Sequence, residues 1–263
     1  MTHKLRRKIL VFSALLAMLS CSIFDDNTNQ TLQTSSDYET LRSWLLGDKG
    51  YLTAKWGEED CNYWGSLGGL CSKCGDCNHT GVDYGTSGKY ENVYAVASGY
   101  IVLVVGERNL LCIYNEPTKV TFCYLHLSSF EVTSGGVQQG ELIGKTGMRG
   151  ANSIHLHFEA RPGEKAYAAC CYNDTINPIE AAELARTIIY VNQNNPDEYL
   201  KLKADGTFYL MEMGIGFTGE WEVEGDVLKL YYSKLGITLE GRVEGNKIID
   251  PDGKVWIRQT PFP

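Results

Sequence analysis

Apolar runs and alternating apolar and polar positions along the chain predict mainly short β-strands. Five segments are rich in β-branched and apolar residues and are separated by Gly, Asn or Pro, which is typical of strands joined by tight turns. These segments are residues 93–97, 100–105, 110–114, 120–126 and 154–160. Repeated glycines between the last two segments indicate further, very short strands there.

Two segments carry helix signals instead. Residues 37–46 predict a short helix with Ser36 or Asp37 as its N-cap. A longer helix is predicted over residues 177–191, because it starts with Asn-Pro: Asn caps helices well and Pro is favoured at the first helical position.

The C-terminal part of the chain predicts a separate small β-domain. Residues 192–198 are polar and contain Pro196, so a domain boundary is predicted there. Residues 199–263 are short strand-like segments broken by Gly and Asp every 8–12 residues or so, which predicts an antiparallel meander or barrel. They contain no His or Cys, and their role is unknown. The predicted fold class is all-β, mainly antiparallel, with a few short helices, followed by this small all-β domain.

The N-terminus predicts export. A basic start precedes the apolar residues 9–19, a run too short to cross a bilayer, which needs roughly 20 residues. Residues 1–20 resemble a bacterial lipoprotein signal with Cys21 as the acylated first mature residue; the alternative is an ordinary secretory signal. Ser22 after the cysteine suggests sorting to the outer membrane. Residues 21–36 are polar and predict a flexible tether.

The charge balance excludes nucleic acid as a partner. The chain has a formal net charge of −8, and residues 1–20 carry four positive charges and no negative one, so their removal gives −12. A chain this acidic does not bind nucleic acid nonspecifically.

The cysteines favour disulfide bonds. Eight of the nine follow Cys21, and an even number in an exported chain predicts disulfides. A metal cluster is the alternative for the Cys71, Cys74 and Cys77 triplet. Residues 51–77, rich in Gly, Cys and Trp, therefore predict a loop held by disulfides, and Cys170–Cys171 are expected to pair with its cysteines.

One disulfide can be predicted from geometry. The apolar runs 110–114 and 120–126 flank a short polar segment. A two-residue turn at Pro117-Thr118 would place Cys112 directly opposite Cys123, within bridging distance.

Histidine is used sparingly, and four of the five histidines lie in three short motifs: His79, His126, and the pair His155 and His157. On a helix, residues two apart would point about 200° apart. On a strand, His155 and His157 share one face about 7 Å apart, while their apolar neighbours face the other way. This alternation predicts a strand with one face in a core and the other in a cleft.

The first histidine has a carboxylate nearby. His79 and Asp83 would lie about 13 Å apart on an extended chain, and Gly81 permits the bend that brings them together. A single histidine is more commonly a hydrogen-bonded structural residue, but four in these contexts favour a metal site. Two His and one Asp suit zinc with an open position for water. The pKa of such a water is near 7, and a nearby imidazole can accept its proton.

Residues 79–159 resemble the lysostaphin-type (LytM-type) zinc endopeptidases of bacterial peptidoglycan. The resemblance rests on five ordered motifs: His-Thr-Gly-Val-Asp at 79–83, Tyr-Ala-Val-Ala-Ser-Gly at 94–99, Tyr-Leu-His-Leu-Ser at 124–128, Gln-Gly-Glu-Leu-Ile-Gly-Lys-Thr-Gly at 139–147 and His-Leu-His-Phe-Glu at 155–159. It implies an antiparallel β-domain with a narrow cleft. It also implies one zinc ion held by His79, Asp83 and His157, with His126 and His155 as the catalytic pair. The Cys-rich segment before residue 79 departs from the family, which leaves specificity open.

The resulting hypothesis is a lipid-anchored zinc endopeptidase that uses a metal-activated water to cut stem or cross-bridge peptides of peptidoglycan. Its peptidase domain would span residues 37–191, with a core at 79–160. The alternatives are a non-catalytic, wall-binding activator of another murein hydrolase and a peptidase that acts on other secreted or host proteins. For residues 199–263, a spacer role is favoured over wall binding.

Overall fold

The structure is a computed structural model that describes residues 33–59, 78–105, 109–167, 169 and 171–259. Within these ranges the chain forms two α-helices, α1 (Ser35–Leu46) and α2 (Pro178–Arg186). All other regular structure in the described ranges is β, apart from a 3₁₀ turn at Tyr172–Asp174. The prediction of a mainly antiparallel β-protein is confirmed.

A seven-stranded antiparallel sheet forms the N-terminal part, with strand order β1-β2-β10-β6-β5-β4-β8. Its strands are β1 (Tyr51–Ala54), β2 (Val82–Gly85), β4 (Gly99–Val105), β5 (Leu110–Asn115), β6 (Val120–Leu125), β8 (Gly136–Val137) and β10 (His155–Pro162). A three-stranded sheet of order β3-β9-β7 accompanies it, with strands β3 (Asn92–Tyr94), β7 (Ser129–Phe130) and β9 (Leu142–Lys145).

The seven-stranded sheet has two chemically different faces. One face is apolar and fully buried, because alternate residues such as Tyr84, Tyr124 and Phe158 pack into one core with leucines of α1. The hydroxyl of Tyr84 also donates a hydrogen bond of 2.8 Å to the carbonyl of Tyr38 in α1. The intervening residues form the opposite face, which we call the cleft face. It carries every histidine of β10.

The C-terminal part is a closed eight-stranded antiparallel barrel, in which β11 pairs with β18. Its strands are β11 (Ile188–Asn192), β12 (Asn195–Leu202), β13 (Thr207–Glu212), β14 (Ile215–Glu224), β15 (Val227–Tyr232), β16 (Ile237–Glu244), β17 (Lys247–Ile249) and β18 (Val255–Arg258). Closure leaves no free sheet edge. The barrel has its own apolar core, which includes Phe208 and Trp256.

The predicted bridge between Cys112 and Cys123 is confirmed. The two residues are cross-strand partners in β5 and β6, with a sulfur–sulfur bond and a Cα–Cα distance of 4.2 Å. The turn has Pro117-Thr118 at its centre, and the amide of Lys119 donates to the carbonyl of Glu116. Cys171 is also disulfide-bonded. Cys170 and the cysteines of 61–77, with which Cys170 and Cys171 are predicted to pair, lie outside the described residues.

Three details of the sequence prediction were wrong. Helix α2 ends at Arg186 rather than near 191, because the next residues are Thr, Ile, Ile, Tyr and Val, which favour the strand β11. The N-cap of α1 is Thr34, which forms a capping box with Asp37. Strand β1 lies at the start of the segment that was predicted to be loop.

Two further predictions are not tested by the fold. The signal segment 1–20 and the lipidation site Cys21 lie outside the described residues. The domain division also stays a prediction, and the first barrel strand begins at Ile188, before the polar segment 192–198. Among the described helices, neither has the length and apolar character needed to span a membrane.

Candidate metal centre

Strand pairing brings the three predicted metal ligands to one point. His157 in β10 is the cross-strand partner of Asp83 in β2, and His79 lies just before β2. Asp83 Oδ1 lies 2.8 Å from His157 Nδ1 and 3.3 Å from His79 Nε2, and the two histidine nitrogens are 3.0 Å apart. All three side chains are buried.

Gly81 allows the approach of residues 79–83 to β10. A Cβ at this position would lie 2.4 Å from the carbonyl oxygen of Phe158 and 2.8 Å from His157 Nε2, far inside van der Waals contact. The backbone of Gly81 does not adopt the left-handed conformation. The position therefore requires glycine for space rather than for backbone freedom.

The three ligand atoms fit a zinc ion. Tetrahedral coordination at 2.0–2.1 Å places ligand atoms about 3.3 Å apart. The separations of 2.8 to 3.3 Å found here are close to that value. Two imidazole nitrogens and one carboxylate oxygen leave a fourth position open, which is the pattern of catalytic rather than structural zinc sites.

Hydrogen bonds to the far ring nitrogens fix both ligand histidines. The Nδ1–H of His79 donates to the carbonyl of Lys55 at 3.1 Å. The Nε2–H of His157 donates to Glu159 Oε1 at 3.0 Å. In each ring the remaining nitrogen is therefore the one that faces the metal centre, as in known zinc sites where an outer hydrogen bond selects the tautomer.

Glu159 was not assigned a role from the sequence, although a signal was present. It lies two residues after His157 on β10 and hence on the cleft face. Its side chain is almost fully buried and accepts hydrogen bonds from Thr80 Oγ1 and from the amide of Ala169, both at 2.8 Å. Glu159 thus connects a metal ligand to two separate loops.

Replacing Glu159 with Ala is expected to lower zinc affinity about 10- to 100-fold, because His157 loses the acceptor that orients it. Competition with a chromophoric chelator measures this affinity without any substrate. Glu159→Gln keeps an acceptor for His157 and should retain more of the affinity. Glu131 is exposed, so Glu131→Ala is the matched control and should bind zinc normally. Unchanged affinity in Glu159→Ala would contradict the assigned role.

His126 and His155 lie beside the three ligands. Their ring centroids are 4.6 Å apart, and His155 Nε2 is 3.7 Å from Asp83 Oδ2. The Nδ1–H of His126 donates to the carbonyl of Arg149 at 2.7 Å, and that of His155 donates to the carbonyl of Ser153 at 3.0 Å. In both rings Nδ1 is therefore occupied by a backbone carbonyl, and Nε2 remains for contacts with the centre.

The backbone at His126 is strained. Its φ is +64°, in the left-handed region that side-chain-bearing residues seldom adopt. The residue directly follows β6, and its ring lies against that of His155. Strain of this kind is concentrated at functional sites.

The electrostatics of the metal-free centre follow from burial and close charges. Burial alone would lower the pKa of His157, but Asp83 and Glu159 on either side raise it to about 10. Burial raises the pKa of Asp83, yet the charge and hydrogen bond of His157 and the hydrogen bond of His79 hold it well below its usual value. A metal ion must therefore displace a proton from His157, so metal affinity increases with pH.

The pKa of His126 is shifted in the opposite direction to that of His157. Burial, followed by repulsion from His157, lowers its pKa to about 4. The imidazole is therefore neutral at pH 7 and can accept a proton through Nε2.

One family model matches part of the chain. The model of "Peptidase family M23" matches residues 77–169. No curated protein matches the chain.

Several solved structures match part of the chain at low identity. The catalytic domain of the antimicrobial peptidase lysostaphin from Staphylococcus simulans is 20% identical, with 51% of this chain and 92% of that domain covered and a TM-score of 0.39. A catalytic-domain variant of the prophage-encoded M23 protein EnpA from Enterococcus faecalis is 21% identical, with 49% and 88% covered and a TM-score of 0.37. A zinc-containing peptidase from Vibrio cholerae is 22% identical, with 43% and 33% covered and a TM-score of 0.33.

The family match includes all five predicted site residues, and no other segment of the chain contains a histidine apart from residue 3. The chain is therefore similar to peptidase family M23 over residues 77–169, the part that holds the whole candidate site.

Proposed function

We propose that the protein is a zinc-dependent endopeptidase that hydrolyses peptide bonds in bacterial peptidoglycan. The observation that carries this proposal is the orientation of the four histidines. Each uses one ring nitrogen to donate to a carbonyl or a carboxylate, and the other is left for the centre shared with Asp83. A set of structural histidines has no reason to share this arrangement.

The protein's own groups would hold the ion in a fixed geometry. His79 Nε2, Asp83 Oδ1 and His157 Nδ1 are the ligand atoms, and the Lys55 carbonyl and Glu159 prevent the rings from rotating. When bound, zinc supplies a Lewis acid and lowers the pKa of water to about 7.

His126 and His155 would move the proton. Nε2 of either ring is the nitrogen that would accept a proton from the attacking water, because Nδ1 is already a donor to a backbone carbonyl. Once protonated, Nε2–H can donate a hydrogen bond to the oxyanion that develops on the peptide carbonyl. It can then transfer its proton to the leaving amine. The pair is held rigidly, so no reorganisation is needed during the reaction.

The substrate and location are proposed from the family and from the N-terminus. LytM-type relatives and the export signal favour stem or cross-bridge peptides of peptidoglycan, reached from a membrane to which acylated Cys21 attaches the chain. A diacylated or triacylated residue would anchor firmly, because each buried methylene contributes about 0.8 kcal/mol. The outer membrane, facing the periplasm, is the proposed site.

The test uses Thr34–Pro263, which forms one compact unit. The zinc-loaded protein is incubated with peptidoglycan isolated from several wall types, with and without a chelator. Soluble muropeptides are expected only in the metal-loaded sample, and their masses identify the scissile bond. Asp83→Ala, which removes a ligand, should release none.

A different result would overturn the proposal. If the protein binds one zinc per chain, cleaves no wall type and instead stimulates a wall amidase, it is an activator. If it cleaves unrelated secreted proteins but not muropeptides, the substrate is wrong and the peptidase activity stands.

A further inference from the structure

Tyr51 lies in one row with a residue of the proposed catalytic pair. It is the cross-strand partner of Gly85 in β2, and Gly85 is in turn the partner of His155 in β10. Cross-strand partners project from the same face of a sheet. Asp83, two residues before Gly85, projects from this face as well. Tyr51 is therefore on the cleft face, on the β1 side of the metal centre.

Gly85 lets the tyrosine ring lean across β2 toward His155. A Cβ at position 85 would lie 3.1 Å from Cζ of Tyr51 and 3.2 Å from its hydroxyl oxygen. The hydroxyl end of the ring thus fills the space that a side chain at 85 would take. Any larger residue at position 85 would push the ring away. It would also displace the methyl group of Thr53, which lies 2.9 Å from the position of that Cβ.

The ring is exposed, and its hydroxyl can act as a hydrogen-bond donor. Tyr51 is 52% exposed, so its ring is accessible to a bound molecule. Among the described residues, none forms a hydrogen bond with its hydroxyl. A tyrosine combines a rigid apolar ring with a hydroxyl donor, which suits it to contact a peptide.

We propose that Tyr51 is a specificity-determining contact for the substrate, whose hydroxyl donates a hydrogen bond to a backbone carbonyl of the bound peptide. This rests on the proposed peptidase function. A donor to a backbone carbonyl suits a peptide of small residues such as glycine, because such a peptide offers few side-chain groups for recognition. Tyr51 contacts the substrate on the side of His155. It takes no part in metal binding.

The first test measures binding and needs no catalysis. The probes are triglycine hydroxamate, a peptide with a zinc-chelating end, and acetohydroxamate, which has the same end and no peptide. In zinc-loaded Thr34–Pro263, Tyr51→Phe should lower the affinity for triglycine hydroxamate about fivefold. This change corresponds to the loss of one typical hydrogen bond. The affinity for acetohydroxamate and for zinc should not change.

Tyr100→Phe is the matched control. Tyr100 is also an exposed tyrosine on the seven-stranded sheet, but it lies in β4, three strands away from β10. Its variant should bind both probes as the unaltered protein does. Gly85→Ala should imitate Tyr51→Phe, because it displaces the ring without removing the hydroxyl.

The second test measures wall hydrolysis, in which Tyr51→Phe should raise KM and leave kcat nearly unchanged. Equal triglycine hydroxamate affinity in Tyr51→Phe and the unaltered protein would overturn the inference. So would an unaltered protein that binds triglycine hydroxamate no more tightly than acetohydroxamate. If the probes behave as expected but no wall is cleaved, the contact stands and the proposed wall hydrolysis fails.

Discussion

Replacing His155 with Ala is expected to lower kcat for the proposed wall-peptide hydrolysis about 10²- to 10⁴-fold, the range typical of lost general acid–base catalysis. The reason is geometric: Nε2 of His155 is 3.7 Å from the second oxygen of Asp83, so it adjoins the ion without being needed to hold it. The variant should therefore bind one zinc ion per chain. Release of soluble muropeptides measures the rate, and elemental analysis of the folded protein measures the metal.

The rate of His126→Ala, alone and combined with His155→Ala, tests whether the two residues act together. The two rings lie 4.6 Å apart, and residues that act as one unit have strongly non-additive effects. The double variant should therefore be little slower than either single variant. If His155→Ala lost its zinc, the residue would be a ligand, and the division between ligands and proton-transfer groups proposed above would be wrong.

Gly81→Ala is expected to abolish the metal centre although it alters no ligand. The added methyl group would lie 2.4 Å from a backbone carbonyl oxygen of β10, and a backbone in the middle of a sheet cannot move aside. The loop carrying His79 must shift instead, which separates that ligand from His157. We expect zinc affinity to fall by at least about 100-fold, the upper end of losses caused by disturbing metal-ligand support.

The control for this variant is Gly136→Ala. Gly136 is a strand residue without left-handed backbone, and a Cβ there would meet only the carbonyl of Gly99, at 3.9 Å. Its zinc affinity should equal that of the unaltered protein, as measured by chelator competition. Normal zinc binding by Gly81→Ala would show that the 79–83 segment adapts, and that the close packing described here is not required.

Much of the site could be predicted because its residues follow strand periodicity. Alternation alone places His155 and His157 on one face, and the same rule extended by two residues would have identified Glu159. The acceptors of the other three histidines could not be found this way. They are the carbonyls of Lys55, Arg149 and Ser153, and any residue type supplies a carbonyl.

Strand order was the part of the fold that local pattern could not give. Strands β2 and β10 are adjacent although about seventy residues separate them, since pairing between distant segments depends on the whole set of buried faces. The Cys112–Cys123 bridge could be predicted because its strands are joined by a tight turn, which sets the register. The end of α2 was misjudged because residues 188–191 are apolar, and short apolar runs suit a helix or a strand.

Among the described strands, the one that completes the barrel is synthesised last. Because β18 pairs with both β17 and β11, the ring of strands cannot join until Val255–Arg258 is present. The seven-stranded sheet, by contrast, has all its strands by Pro162. A chain cut short before Val255 would carry the full peptidase sheet beside an opened ring with two bare edges, and such edges recruit strands from other molecules. C-terminal truncation should therefore cause aggregation before it costs the metal centre.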